Sequence, residues 1–351
     1  MKTLFGKIKE FLRKKDVVVS AKRYGIDALS AMAQGLFCSL LIGTIVKTLG
    51  QQIGVELLVT IGQFACDMSG AAMAIAIGYA LKAPPLVLFS LAAVGYASNQ
   101  CGGAGGPLAV LIIAIIAAEF GKIVSKETKI DILVTPLVTI MVGCLLSLWW
   151  APAIGKAASA VGQVIMWATE LRPFWMGILV SVLVGIALTL PISSAAICAS
   201  LGLVGLAGGA AVAGCCAQMV GFAVMSFREN KWGGLVSQGL GTSMLQMGNI
   251  VKNPKIWIPA IVTSAITGPL ATCVFRLEMN GPAVSSGMGT CGLVGQLGIY
   301  TGWVDAGKVI SGGDWLAMGL ICFVLPAVLC WLLGILCRKI GWIKPGDLKL
   351  D

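Results

Sequence analysis

Apolar stretches of roughly twenty residues follow one another along the chain, and basic residues or Gly, Pro and amide clusters separate them. Leu4, Ile8, Phe11 and Leu12 recur at helical spacing with Lys and Arg between them, which predicts an amphipathic helix over 1–19 lying on a membrane surface. Residues 28–46 are an uncharged first span. A return span over 53–81 follows, interrupted by Glu56 and Asp67 and closed by Lys82. Between 83 and 118 no charge occurs, yet Asn99-Gln-Cys-Gly-Gly-Ala-Gly-Gly-Pro107 splits the stretch, so a hairpin is expected there. Residues 132–155 cross again, 156–171 read as an interfacial helix around Trp167, and 173–190 cross back. Positions 173–227 carry no charge at all. The breaks at Pro191 to Ser194 and at Gly205 to Gly209 predict a second hairpin over 192–226. Spans over 256–275 and 314–337 bracket a Gly-rich stretch at 280–303. The pattern predicts an all-α polytopic membrane protein of about ten transmembrane helices with re-entrant or broken-helix hairpins.

Span, span, Pro, hairpin and basic loop occur at 27–124 and again at 130–228, which suggests a faint internal repeat with Pro85 and Pro191 equivalent. Duplicated transporters carry their sites at such repeat interfaces. The division expected is a basic amphipathic segment at 1–23, a membrane transport domain at 24–340 with a C-terminal part at 234–337, and a tail at 341–351.

Composition sharpens this picture. Of 351 residues, 58% are hydrophobic and 11% charged, against roughly 25% charged in a soluble domain, so a soluble or disordered chain is excluded. The net charge of +10 would suit nucleic acid, but eight basic residues crowd into 1–23, directly before the first span. That is the positive-inside pattern of a cytoplasmic N-terminus facing anionic lipid, and both termini are expected inside. Nucleic acid is not expected as a partner. Twelve Cys and no His remove His-dependent catalysis and His phosphorylation on this chain. No CxxC pair or metal-ligand spacing occurs. No catalytic residue, metal or cofactor is therefore expected. Gly287-Met-Gly-Thr-Cys-Gly292 matches GxGxxG but lacks the strand and the acid that a nucleotide site needs.

Broken backbone at membrane depth survives only inside protein or beside water, so Gly-rich uncharged polar segments mark a permeation path. Four qualify: 98–107, 191–209, 234–250 and 280–296. Their amides and hydroxyls both donate and accept, which suits a neutral, hydroxyl-rich solute such as a sugar. The candidate ligands are Asn99, Gln100, Ser193, Ser194, Gln238, Thr242, Gln246, Asn249, Asn280 and Thr290, with Asp67 or Glu278 as the carboxylate. For any one Gly or Ser, tight helix packing is the competing explanation.

Four runs carry a family resemblance: Leu190-Pro-Ile-Ser-Ser-Ala-Ala196, Gly221-Phe-Ala-Val-Met-Ser-Phe-Arg-Glu-Asn230, Gln238-Gly-Leu-Gly-Thr-Ser-Met-Leu-Gln246 and Gly287-Met-Gly-Thr-Cys-Gly-Leu-Val-Gly-Gln296. Over roughly 20–340 the chain resembles the enzyme IIC-type membrane proteins of the bacterial phosphoenolpyruvate:sugar phosphotransferase system, in the perfringolysin O regulator-like branch. The resemblance implies a homodimer in the bacterial inner membrane that moves a sugar-like solute. It also implies a cytoplasmic IIB-type partner supplying the phosphoryl group, since this chain has no IIB or IIA domain. Two other readings are a membrane sensor that affects gene expression without net transport, and an ion-coupled carrier of a small organic anion.

Overall fold

The computed structural model describes residues 10–350, so the first half of the expected amphipathic helix, with Leu4 and Ile8, lies outside the described residues. Among the described residues the chain is helical without a strand; its one isolated β-bridge pairs Gly205 with Met279. The principal helices are α1 (Arg23–Ile53), α2 (Glu56–Asp67), α3 (Ser69–Ala80), α4 (Pro85–Gly102), α5 (Gly106–Val124), α6 (Asp131–Thr169) and α7 (Pro173–Thr189). They continue with α8 (Ser194–Leu201), α9 (Gly205–Met225), α10 (Phe227–Val236), α11 (Met247–Lys252), α12 (Pro254–Val274), α13 (Val294–Asp305) and α14 (Gly312–Lys339).

By length and composition six helical stretches are able to cross a membrane, or seven when α2 and α3, bent by 45° at Met68, are counted as one span. The expectation was about ten. The difference lies in how the apolar chain is cut: several of its helices, among them Ser194–Leu201, Phe227–Val236, Met247–Lys252 and Val294–Asp305, are too short to cross alone. Large apolar side chains face outward, with Trp149 80% and Ile132 71% exposed. That outward apolar surface is what lipid requires and water would penalise.

Two compact units are present: residues up to Leu40 with Phe64–Lys156, and Leu41–Gln63 with Ala157 onward. In the first unit, α3 packs on α1 and α4. Gly70 and Gly95 face each other so closely that a Cβ on either would overlap the other's carbonyl. Helices α4 and α5 fold back at Gly103 (φ 49°). A Cβ on Gly106 would lie 2.9 Å from the Asn99 carbonyl oxygen, whereas residues seven apart in one straight helix are separated by about 10 Å. The hairpin expected over 83–118 therefore turns at 103–105. Helix α6 departs from expectation: it runs unbroken through Pro136 and Pro152 to Thr169, so there is no separate interfacial helix at 156–171. Membrane helices tolerate such prolines where neighbours or side chains satisfy the freed carbonyls.

In the second unit α9 is the axis. Its most apolar window is 94% buried, and α7, α12 and α14 pack around it. The sequence explains the closeness: a Cβ on Gly209 would overlap the Leu277 carbonyl, and one on Gly214 the Ser181 carbonyl. Small residues let backbones approach where lipid provides no hydrophobic drive. The stretch 192–226 is not a doubled-back hairpin. Helix α8 packs instead on the turn 283–287, because Gly202 (φ 60°) redirects the chain into the bridge with Met279.

Candidate functional site

Three of the four Gly-rich segments meet in the second unit. Ser193 caps α8, its hydroxyl accepting from Ala196 N at 3.2 Å. Ser194 Oγ donates to the Gly287 carbonyl at 2.7 Å, and Ser286 Oγ donates to the Leu203 carbonyl at 2.6 Å. These reciprocal bonds lock the 191–203 break into the 281–293 loop, so each satisfies backbone that its own helix cannot. Thr290 is fully buried, with its hydroxyl 3.6 Å from Met219 Sδ. At the start of α13, Gln296 donates to Cys216 Sγ at 3.3 Å, while its buried Oε1 has no hydrogen-bond partner. Glu278 and Asn280 alternate with buried Leu277 and Met279 on the extended stretch beside Gly205, and so face outward. Asn280 Nδ2 donates to Glu278 Oε2 at 2.9 Å.

The 234–250 segment holds a chain of amides. Gln238 Nε2 donates to Ser226 Oγ at 2.7 Å and to the Gly234 carbonyl at 2.9 Å. Gln246 Nε2 donates to Gln238 Oε1 at 2.8 Å, and Asn249 Nδ2 to Gln246 Oε1 at 2.9 Å. Gln238 and Gln246 are fully buried. Thr242 is extended (φ −156°) and caps the turn 243–246 by accepting from Met244 N. Thus Gln238, Gln246 and Asn249 form one hydrogen-bonded group, Ser193 and Ser194 belong to the interlocked loops, and Thr242 has a local capping bond.

Asp67, Asn99 and Gln100 lie in the first unit. Asp67 ends α2 at the 45° bend and is exposed, as is Gln100 on α4. Asn99 Nδ2 donates to Ser69 Oγ at 3.3 Å, pinning α4 to the start of α3.

Two polar groups escaped the sequence reading. Gln218, fully buried on α9, accepts from the Trp257 indole at 2.7 Å and from Thr189 at 3.3 Å. Thr189 also contacts Ser243 Oγ at 2.8 Å. A lone amide in an uncharged helix was the available signal. In the first unit Lys122, 2% exposed, donates to the Asp16 and Leu81 carbonyls and lies 2.9 Å from Glu119 Oε2. Arg23 donates to the same two carbonyls and to the Asp16 carboxylate, and Tyr24 donates to Glu119 at 3.1 Å. The Arg23 hydrogen bond is the largest influence on Asp16, and it holds that carboxyl below the usual carboxylate range against an opposing contribution from burial.

No curated protein and no solved structure matches the chain. The family described as phosphotransferase system, EIIC matches residues 26–350. That match spans nearly the whole chain, including all four Gly-rich segments and the amide group, and the chain belongs to this family of multi-pass inner-membrane sugar-transport components.

Proposed function

We propose that the chain carries a sugar across the bacterial inner membrane by alternating access, with solute held by the amides and hydroxyls of the broken segments. The observation that carries the reading is the gathering of 191–203, 234–250 and 281–296 into one unit, with polar side chains buried among helices that stop short of a full crossing. Each amide both donates and accepts, so a solute hydroxyl can take the place of a protein partner bond for bond. Gln238, Gln246, Asn249, Ser193, Ser194, Thr242 and Thr290 supply this exchange. Glu278, held by Asn280 at the surface, offers a carboxylate to an arriving hydroxyl. Binding and release need no covalent step on this chain, and a cytoplasmic IIB-type protein supplies the phosphoryl group where uptake is coupled to phosphorylation. A homodimer is the expected working form.

The test is uptake into proteoliposomes with and without a phosphoryl-donor system. Gln246→Ala and Asn280→Ala are expected to abolish uptake while the purified variants elute and melt as the parent does. Parental uptake by both variants rejects the site. Sugar phosphate formed only with the partner proteins identifies group translocation, and unmodified sugar accumulating without them identifies free or ion-coupled transport.

A further inference from the structure

The amide group of the second unit is already occupied, by the chain itself. Segment 342–350 crosses it in extended and turned conformation. Asn230 reads this backbone with both ends of its amide: Nδ2 donates to the Leu348 carbonyl at 2.8 Å, and Oδ1 accepts from Leu350 N at 2.9 Å. Gln246 Nε2 donates to the same Leu348 carbonyl at 2.9 Å, and Asn249 Nδ2 to the Lys349 carbonyl at 2.8 Å. Asn253 Nδ2 donates to the Trp342 carbonyl at 2.9 Å and to Asp347 Oδ2 at 2.8 Å. Leu348 is fully buried and Ile343 2% exposed. Gly341 (φ 76°) and Gly346 (φ 92°) supply left-handed turns at one end of the segment and within it.

Gln246, Asn249 and Asn253 are spaced three and four residues apart, so they share one face of a helical path. An amide has two N–H bonds to give. Gln246 gives one to Gln238 and one to Leu348; Asn249 gives one to Gln246 and one to Lys349. The second donor of each is therefore the one that would meet a solute hydroxyl, and here it is spent on the 342–350 backbone. Against these hydrogen bonds, all but the one to Asp347 between neutral groups, and two buried aliphatic side chains stands the ordering of nine residues, terms of comparable size and opposite sign. A strap balanced in this way is detachable.

We infer that segment 342–350 is an intramolecular competitor of the solute: docked, it occupies the Gln246 and Asn249 donors; released, it frees them. The inference rests on the proposed sugar site and adds its regulation. A population held largely in the docked state lowers apparent solute affinity by the undocked fraction.

The experiment uses the full chain in nanodiscs. Amide hydrogen exchange over 342–350 is followed with and without a saturating mixture of glucose, galactose, mannose and N-acetylglucosamine, and retention of each sugar is measured separately by equilibrium dialysis. The expected result is exchange at least tenfold faster in 342–350 with sugar, and unchanged exchange in α9. Leu348→Asp puts a charge in a fully buried site and should give the fast rate without sugar, together with at least threefold tighter sugar retention. Asn230→Asp, which removes the donor to Leu348 from outside the solute ligands, is the milder variant should Leu348→Asp misfold. Sugar retained with no change in strap exchange, or equal retention by the parent and the strap variants, overturns the competition and leaves the sugar site standing. No sugar retained by the parent or by either variant overturns both.

Discussion

Replacing Lys122 by methionine tests what holds the segment around Asp16 against α5 within the first unit. At 2.9 Å from Glu119 Oε2, an ion pair in an effective dielectric of about 20 gains about 6 kcal/mol. Desolvating two ions offsets most of that gain. The pair's net worth is thus small, but breaking it from one side is not. The Leu81 and Asp16 carbonyls that Lys122 serves keep Arg23 as a donor, at 2.6 and 3.0 Å, so the loss concentrates on Glu119, left charged, 8% exposed and holding only the Tyr24 hydroxyl. Lys122→Met should therefore cost about 3–5 kcal/mol. Glu119→Gln added to it should recover about 2 kcal/mol, within the range for contacting pairs. Unfolding from folding micelles into sodium dodecyl sulfate, followed by tryptophan fluorescence, measures both singles and the double. A cost under about 1 kcal/mol for Lys122→Met, or simple additivity in the double variant, refutes the reasoning.

Gly209→Ala would drive a methyl group into the Leu277 carbonyl. It should cost about 1–3 kcal/mol by overpacking, and hydrogen exchange at Met279 N, bonded to the Gly205 carbonyl at 3.0 Å, should rise; an unchanged Met279 amide argues against the close approach. Asp16 has its carboxyl held below the ordinary value by Arg23. The stabilising contact is therefore complete above the unfolded carboxylate pKa of about 4 and is lost as pH falls through the lower folded value. Protection from hydrogen exchange over 10–16, taken relative to the intrinsic amide rate at each pH, should stay flat from pH 7 to about pH 5 and fall below about pH 4, and Asp16→Asn should abolish that dependence.

What could be read from the chain and what could not divide along physical lines. The turn at 103–105 was legible because Gly and Pro punctuate an apolar run too long for one crossing. The continuation of α6 past Pro152 was not, because a proline reads as a break in water, and only neighbouring groups decide whether it is one in lipid. The path of 192–226 differs from expectation for a related reason: the breaks at Pro191 to Ser194 and Gly205 to Gly209 signal turns, but the partner of α8 is set by hydrogen bonds to 286 and 287, some ninety residues away. Among site residues, Gln238, Gln246 and Asn249 stood out as amides in an apolar setting, and the structure ties them together. Asn230 and Asn253 went unread, since their role appears only when 342–350 is laid across them. Lys122 resembled an ordinary flanking lysine, and its burial depends on Asp16 and Leu81, which no local periodicity connects to it.

The enclosure of α9 bears on how the protein is made. Its neighbours come from both sides in sequence: α7 precedes it, while α12, the 275–279 stretch and α14 are synthesised later. When residue 225 leaves the ribosome, most of the surroundings of this small-residue helix do not yet exist, and Gln218 has neither Trp257 nor Ser264 to bond. Insertion and assembly are therefore separate events for this segment, and a chain interrupted before residue 312 lacks Cys330, which closes over Gly221 on one flank of this helix.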